Sequence, residues 1–152
     1  MTTALPPFSL PASDGKTYTE HDFQDGTFVL YAYPRDMTSG CTLEAQQFQK
    51  LLPEFEKQGI RIFGISGDSL KKHASFCEKE SLTFPLLADE KRTLLADLDI
   101  LKEKSMYGKT YLGIDRSTFI IRNGNIKKEW RNVKANGHAE EVLSFLSSEK
   151  AS

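Results

Sequence analysis

Two short apolar runs separated by an amphipathic stretch restrict the possible folds of this chain more than any other feature. Residues 27–33, TFVLYAY, are bounded by Asp25-Gly26 and Pro34, and residues 60–66, IRIFGIS, form the second run. Short runs rich in β-branched and aromatic residues, closed by turn formers, read as buried strands. Between them Phe48, Leu51, Leu52 and Phe55 fall at i, i+3, i+4 and i+7, the apolar stripe of a helix. Pro53 lies inside that helix and should kink it or weaken one turn, and Gly59 should close it.

The rest of the chain continues the alternation. A second helix is expected to start at Asp68 or Ser69, both good N-caps, with Leu70, Ala74 and Cys77 on one stripe. A short strand over Phe84–Leu87 and a helical stretch over Thr93–Leu98 follow. Ser117–Ile121 and Ile126–Trp130 bracket Asn123-Gly124, a strong hairpin signal because both turn residues tolerate positive φ. His138–Leu146 makes a last helix. Near the start, Phe8–Leu10 and Lys16–Tyr18 flank the turn Ser13-Asp14-Gly15, which predicts a small N-terminal β-hairpin. Strands alternating with helices call for an α/β protein with helices on both faces of a sheet. The best fit is a thioredoxin-like fold, a central mixed β-sheet flanked by helices, in one domain spanning residues 1–152.

Composition removes several function classes. The chain has 20 Lys+Arg against 21 Asp+Glu, a net charge of −1, which lacks the electrostatic footprint of nucleic-acid binding. The basic cluster Lys127, Lys128, Arg131 and Lys134 reads as the solvated side of a strand. No apolar run approaches the roughly 20 residues of a membrane helix. The opening MTTALPPFSLPASDG has neither the basic start nor the apolar stretch of a secretory signal. Two cysteines cannot staple a chain of 152 residues. The expectation is a cytoplasmic protein whose cysteines must be judged one at a time.

Cys41 stands between a buried strand and the start of a helix that Thr38 or Ser39 can cap, which places it in the first helical turn. There, unpaired backbone N–H groups and the positive end of the helix dipole favour a thiolate over a thiol. Its neighbours are polar or tiny, with no apolar stripe through Cys41, so a reactive role fits better than core packing. Spacing excludes several chemistries. Glu44 occupies the fourth position of a would-be C-x-x-C dithiol, and Gln47 stands where a tyrosine-phosphatase loop needs arginine. None of His21, His73 and His138 carries the local signature of a cysteine-protease partner. Tyr107-Gly108-Lys109-Thr110 lacks the first glycine of a phosphate-binding loop. His73 and Cys77 lie at i and i+4, but two ligands do not make a metal site. His21 and His138 read as loop and helix-cap residues, and pattern alone makes Cys77 a buried structural thiol.

The string P-x-x-x-T-x-x-C, formed by Pro34, Thr38 and Cys41, resembles the peroxidatic-cysteine motif of the peroxiredoxins. More closely, YPRDMTSGCTLEAQQF, KEKSMYGKTYLGIDRSTFII and GHAEEVL resemble the peroxiredoxin Q branch, also called bacterioferritin comigratory protein, over residues 5–146. The resemblance implies Cys41 as the peroxidatic nucleophile, Thr38 as a hydroxyl that holds the peroxide, and Pro34 as a shield against water. It also implies Arg116 as the active-site arginine, whose forked donors suit both a thiolate and a developing oxyanion. Glu44 matches the branch as a helix residue that helps to orient the loop.

Many members of the branch carry a second cysteine five residues after the first, where this chain has Gln46. Cys77, 36 residues after Cys41, resembles the resolving cysteine of another subset. The implied activity is reduction of hydrogen peroxide and small organic hydroperoxides. It would proceed through a Cys41–Cys77 intramolecular disulfide reduced by thioredoxin, in a monomer without metal, haem or flavin. Because a disulfide needs Cα atoms within about 7 Å, local unfolding of one or both segments is expected, with Gly40 and Pro53 as sources of flexibility. Three readings stay beside it, the first two being a one-cysteine peroxidase with a structural Cys77 and a redox switch or binding protein using the same cysteines. A noncatalytic domain of the same fold with two structural thiols is the third.

Overall fold

The computed structural model describes residues 3–151, the side chains of residues 106, 150 and 151 excepted. In chain order the elements are β1 (Thr3–Ala4), β2 (Ser9–Pro11), β3 (Thr17–Thr19), a 3-10 turn (Glu20–Phe23), β4 (Thr27–Ala32), α1 (Ser39–Lys57), β5 (Ile60–Ser66), α2 (Leu70–Glu80), β6 (Leu86–Ala88), α3 (Thr93–Asp97), β7 (Leu101–Met106), β8 (Lys109–Ile114), β9 (Ser117–Arg122), β10 (Asn125–Trp130) and α4 (His138–Ala151). Six strands form one mixed sheet in the order β1-β10-β9-β4-β5-β6. β4, β5 and β6 run parallel, while β9 and β10 are antiparallel additions on the other side of β4.

Alternation along β4 distributes the core. Val29 and Tyr31 face α1, α2 and α4 with Phe48, Phe76 and Val142, whereas Phe28 and Leu30 join Phe23, Phe63, Leu94 and Phe119 on the opposite face. The N-terminal hairpin forms from β2 and β3, and the thioredoxin-like fold is the one expected. α1 runs through Pro53 to Lys57, and Gly59 follows its end at φ +74°. The β9–β10 turn uses Asn123 and Gly124 at φ +51° and +83°, the left-handed pair that hairpin twist requires.

Three details differ from the sequence reading. The buried stripe of α2 is His73 and Phe76, not Leu70, Ala74 and Cys77; Leu70 is exposed and Cys77 half-buried. A histidine can take a core position because both of its ring nitrogens find acceptors. His138 does begin α4, yet it is buried, with its ring bonded to Thr118 Oγ1 at 2.8 Å and Glu141 Oε1 at 2.9 Å. The hairpin of β7 and β8 was not legible at all: its strands are mostly exposed and carry no apolar face.

Candidate active site

The register of β4 against β9 assembles the site. Ala32 pairs with Ser117, so the loop leaving β4 and the residue entering β9 emerge side by side. That juxtaposition brings Cys41 and Arg116 together across 75 residues of sequence. Val133 N–H donates to the Arg116 carbonyl at 3.0 Å and fixes the backbone from the other side.

Between β4 and α1 the chain turns sharply. Met37 adopts φ +66°, a left-handed conformation that costs a non-glycine residue about 1 kcal/mol. Thr38 is the N-cap by its backbone, but its hydroxyl makes no cap bond and instead donates to the Arg35 carbonyl at 3.1 Å. The capping role expected of its side chain is therefore not observed. Cys41 occupies the first turn of α1 and is 1% exposed.

Arg116 bridges two residues of that turn. Its Nη2 donates to Cys41 Sγ at 3.4 Å, and its Nη1 donates to Glu44 Oε1 at 2.7 Å. Cys41 and Glu44 are three residues apart and share a helix face, so one planar guanidinium spans both. Burial works against the Arg116 charge, but Glu44 and Cys41 outweigh it and hold the guanidinium above its ordinary value. Glu44 is fully buried, its Oε2 has no hydrogen-bond partner among the described residues, and burial pushes its carboxyl up to about 7 against the opposing pull of Arg116. Gly40 leaves room for this arrangement, since a β-carbon there would lie 3.2 Å from Arg116 Nη2.

Arg116 also borders a depression of about 590 Å³ lined by Pro34, Lys102, Lys104, Asp115 and Asn132. Cys77, on α2, is not bonded to Cys41 and packs against the core cluster that includes it; burial raises its thiol pKa, with the Ser13 hydroxyl pulling the other way. His73 has both nitrogens engaged elsewhere, by Asp36 and by the Leu87 carbonyl, so it is not free to form a metal pair with Cys77. Of the site residues proposed from sequence, Cys41, Glu44 and Arg116 meet, Pro34 and Thr38 lie in the loop that leads to Cys41, and Cys77 lies on α2 without a bond to Cys41. Sequence reasoning missed Gln47, which ties α1 to the loop before α4 through Asn136 at 2.8 Å and Gly137 N–H at 2.8 Å. A lone surface glutamine gives no sequence signal for that role.

Comparison with known proteins decides the family. The AhpC/TSA family matches residues 1–129. A peroxiredoxin Bcp of Xanthomonas campestris is 47% identical over 142 residues, covering 91% of this chain and 89% of that protein. The chain is a peroxiredoxin. The peroxiredoxin Bcp of Bacillus subtilis is 43% identical over 93% of this chain and 90% of its own length. Among solved structures, the bacterioferritin comigratory protein of X. campestris superposes with a TM-score of 0.88 at 43% identity, covering 93% of this chain and 91% of that one. A Xylella fastidiosa PrxQ mutant gives 0.89 at 39% identity over 99% and 98%. Peroxiredoxins are thiol peroxidases, which makes this chain an oxidoreductase. Among the described residues no helix is long and apolar enough to cross a membrane.

Proposed function

We propose that Cys41 is the peroxidatic nucleophile of a two-cysteine cycle and that Cys77 resolves it. The observation that carries this reading is the Arg116 fork, with one arm on Cys41 Sγ and the other held by Glu44. The Cys41 thiolate attacks one peroxide oxygen; an S–O bond forms, the O–O bond breaks, and the leaving oxyanion takes a proton to depart as water or an alcohol. Arg116 donates to the charge as it moves from sulfur to the leaving oxygen. Thr38 holds the peroxide through its hydroxyl, and Pro34 keeps bulk water off the sulfur. Cys41 is left as a sulfenic acid. The Cys77 thiol then attacks that sulfur, water leaves, and a disulfide remains for a dithiol protein of the thioredoxin type to reduce.

Two solved structures of X. campestris peroxiredoxin Q carry cysteine-to-serine substitutions at sites 36 residues apart, the separation of Cys41 and Cys77 here. The substrates proposed are hydrogen peroxide and small alkyl hydroperoxides, in keeping with the alkyl peroxide reduction activity of the X. campestris bacterioferritin comigratory protein. The working unit is a single-domain cytoplasmic monomer.

Intact mass and peptide mapping after one equivalent of hydrogen peroxide test the cycle. A chain lighter by two hydrogens, with Cys41 joined to Cys77, is the expected product. Oxygen added on Cys41 alone would make this a one-cysteine peroxidase, and an unchanged mass would remove Cys41 from the chemistry.

A further inference from the structure

A buried side-chain contact joins the loop that leads to Cys41 with the helix that carries Cys77. His73 Nδ1 donates to Asp36 Oδ2 at 2.7 Å, and the opposite nitrogen donates to the Leu87 carbonyl at 2.9 Å. Both side chains are essentially inaccessible, at 0% and 1%. Each ring nitrogen faces an oxygen, so the ring is held from both ends. Around the pair, Tyr33 Oη donates to Asp36 Oδ1 at 2.5 Å, Asp36 N–H donates to Asp68 Oδ2 at 2.8 Å, and Ser66 Oγ donates to the same oxygen at 2.7 Å. Lys72 approaches Asp68 from the surface at 3.9 Å. The Asp36, Asp68 and His73 ligand atoms lie within 4.8 Å of one another, but each is already committed to a partner within the network.

The placement of this network is what matters. Asp36 lies in the β4–α1 loop five residues before Cys41, and His73 lies one helical turn before Cys77 on the same face of α2. The two thiols are unbonded, one beneath Arg116 and the other on a different helix. A Cys41–Cys77 disulfide would tie the start of α1 to α2, and the Asp36–His73 contact already joins the loop before α1 to that same helix.

We propose that Asp36 and His73 are positioning residues that hold the reduced enzyme in its peroxide-ready conformation and that their contact breaks when the disulfide forms. This rests on the proposed Cys41–Cys77 cycle. A contact present in the dithiol state and absent from the disulfide state enters the redox equilibrium directly. A contact that is merely structural persists in both states and cancels.

The test is the variant Asp36→Asn, which keeps an acceptor for His73 but removes the charge. Its dithiol–disulfide equilibrium, measured against a dithiothreitol buffer, should shift about tenfold toward the disulfide, a potential lower by about 30 mV. In stopped-flow mixing with hydrogen peroxide, the disulfide-forming phase should quicken about tenfold, and sulfinic acid at Cys41 should need correspondingly more peroxide to appear. His73→Gln probes the same contact from α2 if Asp36→Asn does not fold. Phe23→Leu, on the opposite face of the sheet, supplies a control of matched thermal stability. An unchanged potential in variants that still form the Cys41–Cys77 disulfide would overturn the proposal, as would an equal shift in the Phe23→Leu control. Failure of the parent protein to form that disulfide would instead overturn the two-cysteine reading on which it rests.

Discussion

Gly40 and Arg116 fit against each other so closely that a single methyl group on Gly40 would stand 3.2 Å from the guanidinium. The glycine before Cys41 therefore clears the path by which a side chain 76 residues away reaches that sulfur. Gly40→Ala separates activity from stability. Alanine is favoured over glycine in a helix by about 0.5–1 kcal/mol, so thermal stability should hold or rise. Displacement of Arg116 should meanwhile slow the reaction with peroxide by about tenfold, read as the fast phase in stopped flow. Unchanged kinetics would show that Arg116 accommodates the methyl group without leaving the sulfur.

Arg116→Lys keeps a positive charge and loses the fork. One ammonium cannot hold the positions of Nη1 and Nη2 together, so Glu44 and Cys41 cannot both be served. The second-order rate constant with hydrogen peroxide should fall by about a hundredfold, the usual scale for loss of a preorganised donor. A loss under threefold would mean that charge alone suffices.

Glu44 makes stability depend on pH in an unusual direction. Its carboxyl titrates at about 7 in the folded chain against an ordinary value of 4.5, so the folded state holds this proton more tightly than the unfolded state. Stability from this group is therefore complete below the unfolded value and is lost as pH rises through about 7, by up to roughly 3 kcal/mol. Glu44→Gln removes the titration. Urea unfolding at pH 5 and pH 8 should show the variant gaining about 1–3 kcal/mol relative to the parent at the higher pH. Its peroxide reaction should slow because Arg116 loses its anchor. A pH-independent difference in stability would contradict the burial argument.

Tyr31 is fully buried and its hydroxyl has no hydrogen-bond partner among the described residues, while its ring stacks on Phe48 at 4.5 Å. Tyr31→Phe keeps the stack and removes the unpaired group, whose burial costs about 1–3 kcal/mol. The variant should unfold at a higher temperature with peroxide kinetics unchanged within twofold. A lower melting temperature would reveal a bound water or other partner for that oxygen.

Most of the frame was legible because period and punctuation are local properties. TFVLYAY, IRIFGIS, the stripe through Phe48 and Phe55, and Asn123-Gly124 each specify their element from within a few residues. The exposed β7–β8 strands offered no apolar alternation to read, and His73 disguised the buried face of α2 as polar.

What the sequence determined by itself was an α/β protein with a cysteine in the first turn of a helix, because capping, apolar periodicity and turn chemistry act over neighbouring residues. What only the tertiary structure decided was the company that cysteine keeps. Arg116 reaches it through the pairing of Ala32 with Ser117, Glu44 becomes a buried partner once Arg116, just before β9, meets α1, and Asp36 meets His73 only after the sheet has aligned their segments. Electrostatic contacts act through space at a few ångströms, and a strand register sets those distances where sequence separation cannot.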